Sequence, residues 1–258
     1  MNNDMRYFLK LAYNGENYFG WQIQPAHISV QEVLTKVISL LLKEPIGITG
    51  VGRTDTGVHA KEFYAHFDTS FVFTEENKHD FICRMNSFLP QDIVIYDILN
   101  VKENTHARFD ALSRTYRYYV STEKNPFAKQ FIHYIFYHPD MEQMNNCCKK
   151  LMDYSDFTSF SKVHTQTHTN NCHIMQAQWI YKEKNLLVFE ITADRFLRNM
   201  VRSIVGTLLD AGRNKISLEE FCAIIEQKDR RYASMSVPAK ALFLEKIVYP
   251  ENIWEQRS

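Results

Sequence analysis

Stretches with the spacing of β-strands alternate with stretches with the spacing of α-helices along this chain, in two successive sets. In the first set, apolar residues recur at strand or helix positions over 6–13, 29–42, 46–51, 62–68, 80–88 and 93–99. The second set covers 113–121, 141–152, 175–181, 186–193, 196–211, 217–227 and 242–249. No linker rich in Gly, Ser or Pro separates the two sets. We therefore predict an α+β fold of two lobes, 1–105 and 106–258, that share a packed interface or a continuous sheet.

Composition excludes several kinds of protein. With 258 residues, of which 45% are hydrophobic and 23% charged, the chain is globular rather than disordered. Lys plus Arg equals Asp plus Glu at 30 each, so a site for a polyanion must be local. The five cysteines form no CxxC pair, which argues against a disulfide scaffold or a zinc ribbon. Because no signal peptide and no membrane-length apolar stretch is evident, we expect a soluble cytoplasmic protein.

One loop concentrates glycine around a single carboxylate. Only eight glycines occur in the chain, yet Gly50, Gly52 and Gly57 fall within eight positions around Asp55. Glycine suits places where the backbone turns sharply or approaches another group closely, so Asp55 is expected at the tip of a constrained turn between two strands. Arg53 would point the same way in an extended backbone and would keep the carboxylate ionised. The alternatives are a carboxylate that only caps turn amides and an ordinary surface ion pair.

An arginine-rich stretch lies near the C-terminal third of the chain. If 196–211 is one helix, Arg195, Arg198 and Arg202 form a stripe beside its apolar face. Arg202 stands in an otherwise apolar run, where a guanidinium needs a partner, and Asp55 is a candidate. The alternative is a solvated stripe whose aliphatic stems cover the helix edge.

A third cluster combines arginines with aromatic residues at 114–119. Alternation along a strand places Arg114, Tyr116 and Tyr118 on one face. Such a face suits stacking on unpaired bases and contact with phosphates, although aromatic strands also serve as ordinary core. The chain has no phosphate-binding glycine motif, and its histidines lack metal-ligand spacing, so a nucleotide or metal enzyme is disfavoured.

Several motifs together resemble one family. GRTDTGVHA at 52–60 closely resembles the signature of the TruA-type tRNA pseudouridine synthases. Other stretches resemble the same family in the same order, at 13–15, 20–25, 30–31, 86–93, 106–111, 114–118, 156–160 and 200–206. Several ordered motifs are far more specific than any one of them.

The resemblance implies an activity and a site. Members of this family isomerise uridine to pseudouridine at positions 38, 39 and 40 of the tRNA anticodon stem-loop, without cofactor or metal. Asp55 would be the catalytic nucleophile, and Tyr116 would stack on the target base and help to remove its C5 proton. Arg202 would pair with the catalytic carboxylate, and Arg53 would hold the target nucleotide out of the stack, as chemistry on a base requires.

The resemblance also implies a pseudouridine synthase fold. In that fold, two α/β lobes share a central, mostly antiparallel sheet, with helices on the outside and a cleft between the lobes. The N-terminal lobe would carry the Asp55 loop, and the C-terminal lobe Tyr116 and Arg202. We further expect a homodimer that binds tRNA, with additional substrate contacts from Thr54, Thr56, His59, Arg114 and Arg198.

Three other functional hypotheses compete with this prediction. A synthase of the same fold could act on other uridines or another RNA, because site choice depends on loops and dimer geometry. A non-catalytic RNA-binding module is disfavoured, since Asp55, Tyr116 and Arg202 are all present. An aspartate-based hydrolase lacks a second carboxylate near Asp55 in the sequence.

Overall fold

The computed structural model describes residues 4–162 and 169–255. These residues contain nine strands: β1 Met5–Tyr13, β2 Thr49–Gly50, β3 His59–Thr69, β4 Ile93–Asn100, β5 Ser113–Ser121, β6 His133–Tyr134, β7 Ile174–Glu183, β8 Leu186–Ala193 and β9 Leu242–Val248. They also contain five α-helices: α1 Val30–Leu42, α2 Glu75–Phe88, α3 Met141–Leu151, α4 Met200–Ala211 and α5 Leu218–Glu226. None of the helices in this described part is long and apolar enough to span a bilayer.

The chain divides into two compact units, and the division differs from the predicted lobes. The first unit comprises Met1–Leu112 with Leu244–Ser258, and the second comprises Ser113–Phe243. The C-terminal segment belongs to the first unit because β9 lies beside β3. In that unit, the Ile247 amide donates to a carboxylate oxygen of Glu62 at 2.9 Å, and the Tyr249 hydroxyl donates to the carbonyl of Ala107 at 2.6 Å. Residues 106–112 and the closing strand are thus bound to the N-terminal part of the chain.

A sheet in which β1 to β4 pair antiparallel forms the framework of the first unit. Its strand order is β4-β1-β3-β9, and β2 pairs with β3. Helix α1 has the predicted N-cap, Ser29, whose hydroxyl accepts from the Glu32 amide at 3.2 Å. The core of the unit is made by fully buried side chains of the sheet and of α1, including Leu9, Leu11, Phe63, Phe67, Leu34 and Ile38.

The second unit combines a set of antiparallel strands with three helices. Strands β5, β8 and β7 lie in that order, and the short β6 pairs with β5 in parallel. Helix α5 follows the N-cap Ser217, which forms a capping box with Glu220, as the sequence predicts. Fully buried residues of this unit include Phe157, Phe160, Phe189, Phe221, Leu151 and Ile204. Because both units combine a sheet with helices, the predicted α+β class is confirmed.

Two predicted helix boundaries were wrong. The helix expected from 196 begins at Met200, because Asn199 has a left-handed backbone with φ of 65°, a conformation that Asn tolerates better than most residues. The helix expected from 80 begins at Glu75. Its N-terminus is a capping box in which Asn77 replaces the usual Glu or Gln, so the sequence signal was weaker.

The strand predicted over 46–51 is also shorter than expected. Only Thr49–Gly50 pairs with β3, opposite His66 and Ala65. Ile46 and Ile48 are buried without forming a ladder, whereas the Val51 amide still donates to the Tyr64 carbonyl of β3 at 2.8 Å. Burial rather than strand pairing therefore accounts for the apolar residues at 46 and 48.

Candidate active site

The Asp55 loop connects β2 to β3 in the first unit. Asp55 is half-buried, and its carbonyl accepts from the Val58 amide at 3.1 Å. Gly57 closes the turn with φ of 77°, which explains why glycine is needed there. Gly50 lies against the ring of Trp21, whereas an added Cβ at Gly52 would meet nothing within 4 Å. Two of the three glycines thus have a structural reason, and the predicted constrained turn is present.

A second segment, residues 13–21, holds this loop from its buried side. The Trp21 amide donates to the Thr54 carbonyl at 3.3 Å, and the Gly57 amide donates to the Tyr18 carbonyl at 3.3 Å. The hydroxyls of Tyr13 and Thr54 share a buried hydrogen bond of 2.9 Å. Buried hydrogen bonds are costly to break, so the backbone on both sides of Asp55 is fixed.

Gly20 shows how closely this segment approaches the loop. Its φ is 86°, and a Cβ added there would lie 2.4 Å from the Thr54 carbonyl oxygen. Both the backbone conformation and the space exclude other residues at this position. Gly20 and Trp21, the first two residues of the 20–25 motif, thus support the loop.

The structure separates the predicted binding residues near Asp55 into two kinds. Arg53 and Thr56 are exposed and have surface to offer a ligand. His59 is 1% exposed and Thr54 is 8% exposed. The Gly15 amide donates to His59 Nδ1 at 3.0 Å in a buried position. His59 therefore links residues 13–21, the supporting segment, to the start of β3. It has almost no surface for contact with a substrate.

Replacing His59 with leucine is expected to lower the free energy of unfolding by about 1–3 kcal/mol, because the buried Gly15 amide loses its acceptor. His59→Asn is the matched control, since its side-chain oxygen can accept the same hydrogen bond and should recover much of the loss. Denaturant unfolding of the two variants beside wild type measures the difference. Equal stability of His59→Leu and wild type would show that this hydrogen bond does not hold the loop.

The second unit supplies the predicted tyrosine from β5. Tyr116 lies opposite Ile191 of β8 and is half-buried. Its ring packs edge-to-face on Phe196, with centroids 5.1 Å apart and an interplanar angle of 87°. Tyr118, on the same face of the strand, is fully buried and donates its hydroxyl to the Pro238 carbonyl at 2.9 Å. Burial raises the pKa of Tyr118, so this tyrosine belongs to the core and Tyr116 keeps an accessible ring.

The arginines of β5 are tied to neighbouring groups of the same unit. Arg114 Nη1 donates to the Asp194 carbonyl at 2.6 Å. Arg117 Nε donates to a carboxylate oxygen of Glu190 at 2.6 Å, across the β5–β8 ladder. Both side chains are half-buried, so each combines a structural contact with some exposed surface.

Arg202 lies in the first turn of α4. It is half-buried, and its Nε donates to the Val237 carbonyl at 2.8 Å. Since α4 begins at Met200, Arg195 and Arg198 lie in the loop before the helix, and the predicted stripe along its flank does not form. Arg198 is exposed and Arg195 is half-buried. The Arg202–Val237 contact was missed because nothing local in the sequence links residues 35 positions apart.

The two units thus present different chemical groups. The first offers a half-buried carboxylate on a rigid turn, and the second offers a half-buried phenol and a half-buried guanidinium. Carboxylate, phenol and guanidinium suit nucleophilic attack, proton transfer and charge pairing, respectively. Among residues 4–162 and 169–255, no three His, Cys, Asp or Glu side chains gather as they would around a metal ion.

Comparison with known proteins gives consistent matches. The family model described as tRNA pseudouridine synthase matches residues 148–250. A protein of Parabacteroides distasonis named tRNA pseudouridine synthase A is 50% identical over 254 residues, which cover 96% of this chain and 98% of that protein. Its namesake in Bacteroides thetaiotaomicron is 49% identical, with 98% and 94% covered. The namesake in Clostridium acetobutylicum is 37% identical, with 93% and 98% covered.

Identity at this level over nearly the full length settles the class of protein. The chain belongs to the tRNA pseudouridine synthase family. It is therefore an enzyme, an isomerase, and the family resemblance predicted from its motifs is confirmed.

Proposed function

We propose that this enzyme isomerises uridine to pseudouridine at positions 38, 39 and 40 of the tRNA anticodon stem-loop, with Asp55 as nucleophile. The observation that carries the proposal is the Asp55 turn, which presents a half-buried carboxylate and whose neighbours Thr54 and His59 are held by buried hydrogen bonds to residues 13–21. Relatives named tRNA pseudouridine synthase A support tRNA as the substrate. The resemblance of the motifs supports the anticodon stem-loop as the place of modification.

The reaction rearranges atoms within one nucleotide. Asp55 attacks the ribose or the base, and the bond between the ribose and N1 breaks. The detached uracil turns, a new bond forms between the ribose and C5, and the bond that Asp55 formed to the ribose or the base breaks, which regenerates the carboxylate. The C5 proton leaves and N1 gains a proton, so atoms and charge balance without an oxidant or reductant. An isomerisation of this kind needs a nucleophile and a proton acceptor, and we propose that it uses neither a cofactor nor a metal.

Tyr116 and Arg202 have separate roles in this proposal. The ring of Tyr116, fixed by the edge contact with Phe196, stacks on the extruded base, and its hydroxyl is placed to help remove the C5 proton. Arg202 pairs with the catalytic carboxylate. Arg53, exposed beside Asp55, holds the target nucleotide out of the stack, with further contacts from Thr56, Arg114 and Arg198.

We also propose the architecture that the resemblance implies. In that architecture, α/β lobes are built on a central, mostly antiparallel sheet with helices outside. The enzyme acts as a homodimer in the cytoplasm. Sedimentation at micromolar concentration tests the homodimer, and a monomeric enzyme with full activity would contradict it.

Chemical mapping of pseudouridine in tRNA transcripts tests the site of modification. We expect modification wherever position 38, 39 or 40 carries uridine, and none when all three carry cytidine. Pseudouridine at other positions would favour the alternative, a synthase of the same fold with different target uridines. Bound tRNA without any pseudouridine would favour an RNA-binding module.

Replacing Tyr116 with phenylalanine is expected to lower kcat about 10²–10⁴-fold, the range by which a positioned proton-transfer group accelerates a reaction. The phenyl ring keeps the edge contact with Phe196, so tRNA affinity should change little. Tyr118→Phe is not a suitable control, because it would leave the buried Pro238 carbonyl without its donor. The exposed Tyr181→Phe serves instead. A near-normal kcat for Tyr116→Phe would exclude its hydroxyl from proton removal.

A further inference from the structure

Residues 230–237, which we call the strap, run along α4 toward its N-terminus. The Ser234 amide donates to Thr207 Oγ1 at 3.2 Å, and a Cβ added at Gly206 would lie 2.1 Å from the Met235 carbonyl oxygen. The strap then reaches Arg202, whose carbonyl accepts from the Val237 amide at 3.2 Å. The contacts of the strap with α4 therefore run from Thr207 toward the N-terminus of the helix and end at Arg202, the proposed catalytic arginine.

Val237 is bonded to Arg202 in both directions. Its amide donates to the Arg202 carbonyl, and its own carbonyl accepts from Arg202 Nε at 2.8 Å. The position of the guanidinium therefore depends on where the strap places Val237. A shift of the strap moves the acceptor that orients this side chain.

Arg230 holds the strap in its observed shape. Its Nη1 donates to the Ala233 carbonyl at 2.9 Å, and its Nη2 donates to the Ser234 carbonyl at 3.0 Å and to Ser236 Oγ at 3.1 Å. Asn199 Nδ2, at the start of α4, donates to the same Ser236 hydroxyl at 2.6 Å. A planar guanidinium can bridge several acceptors at fixed angles, which a lysine cannot do. The hydrogen bonds of Arg230 thus connect residues within the strap, and the Asn199 bond to Ser236 joins the strap to the start of α4.

The neighbouring arginine behaves differently. The side chain of Arg231 is 86% exposed, and its guanidinium pairs with the Asp229 carboxylate at 2.6 Å. Arg230 is half-buried, and burial lowers the pKa of its guanidinium. The two adjacent arginines therefore differ in orientation. The Arg230 side chain is directed into the strap, and the Arg231 side chain is directed toward solvent.

We propose that Arg230 is a positioning residue that fixes the guanidinium of Arg202 through the strap, an inference that rests on the proposed catalytic role of Arg202. Arg230 acts through backbone carbonyls, the Ser236 hydroxyl and Val237, without touching the substrate. Small displacements of a catalytic group reduce the rate far more than they reduce binding.

Arg230→Gln tests the proposal, with Arg231→Gln as the matched control. For Arg230→Gln we expect kcat to fall about 10–100-fold, while the Kd for tRNA and its dependence on salt stay as in wild type. Arg231→Gln should leave kcat unchanged. Amide hydrogen exchange over 234–237 should be faster in Arg230→Gln and unchanged in Arg231→Gln.

The opposite pattern would overturn the proposal. If Arg230 contacted a tRNA phosphate instead, Arg230→Gln would raise Kd and flatten its salt dependence, with kcat unchanged. Unchanged amide exchange would likewise contradict the role. If Arg230→Gln does not fold, Ser236→Ala decides: a lower kcat at unchanged Kd supports the proposal, and an unchanged kcat overturns it. Wild-type enzyme without turnover would count against the proposed function, whereas the exchange measurement still decides the role of Arg230.

Discussion

Asp55→Asn is expected to abolish turnover while the affinity for tRNA stays within about threefold of wild type. The carboxamide has nearly the shape of the carboxylate but is not a nucleophile, so only the chemical step is lost. Loss of a catalytic nucleophile typically lowers kcat by about 10⁴-fold or more. The backbone hydrogen bonds and the Tyr13–Thr54 contact around the loop do not involve the Asp55 carboxylate, so the fold should persist.

Single-turnover kinetics and equilibrium binding of the same tRNA transcript measure this split. Asp153→Asn is the matched control, because Asp153 is an exposed carboxylate of the second unit paired only with Lys150 in the described contacts. It should behave as wild type in both measurements. Turnover by Asp55→Asn within tenfold of wild type would contradict the nucleophile assignment.

Arg202→Ala is expected to lower both activity and stability, with kcat lowered about 10²–10³-fold and the free energy of unfolding lowered by about 1–3 kcal/mol. The catalytic loss follows from removal of the cation that we propose to pair with Asp55. The stability loss has an independent cause, since the Val237 carbonyl loses the donor that holds the strap to α4.

Measurement of kcat together with denaturant unfolding separates the two causes. Arg202→Lys should keep part of the charge effect but lose the Nε donor to Val237. Arg213→Ala serves as a control just beyond the same helix, where Arg213 lies over the Tyr137 ring at 4.7 Å. Unchanged kinetics and an unchanged unfolding midpoint for Arg202→Ala would show that Arg202 neither serves the reaction nor anchors the strap.

Local signals in the sequence predicted much of the framework. The caps at Ser29 and Ser217 were found because each is a polar residue followed by Glu three positions later. The strand at 113–121 followed from its aromatic and β-branched residues, and the constrained Asp55 turn followed from glycine placement. All of these features depend on residues within a few positions of each other.

Features that depend on distant contacts were not predicted. Alternation placed Tyr116 and Tyr118 on one face of β5, but only the fold shows that Tyr118 is buried under Pro238 while Tyr116 is half-buried. His59 was expected to bind substrate, yet its Nδ1 accepts from Gly15, which is 44 positions away. The division of the chain into units also differed, since β9 returns to lie beside β3.

The most direct measurement is release of tritium from C5-labelled uridine in an unmodified tRNA transcript, with EDTA present and no added cofactor. Isomerisation requires loss of the C5 hydrogen, so the proposal predicts one tritium released per uridine at positions 38, 39 and 40, and no release when these positions carry cytidine. No release from the uridine-containing transcript, with the tRNA still bound, would contradict the account.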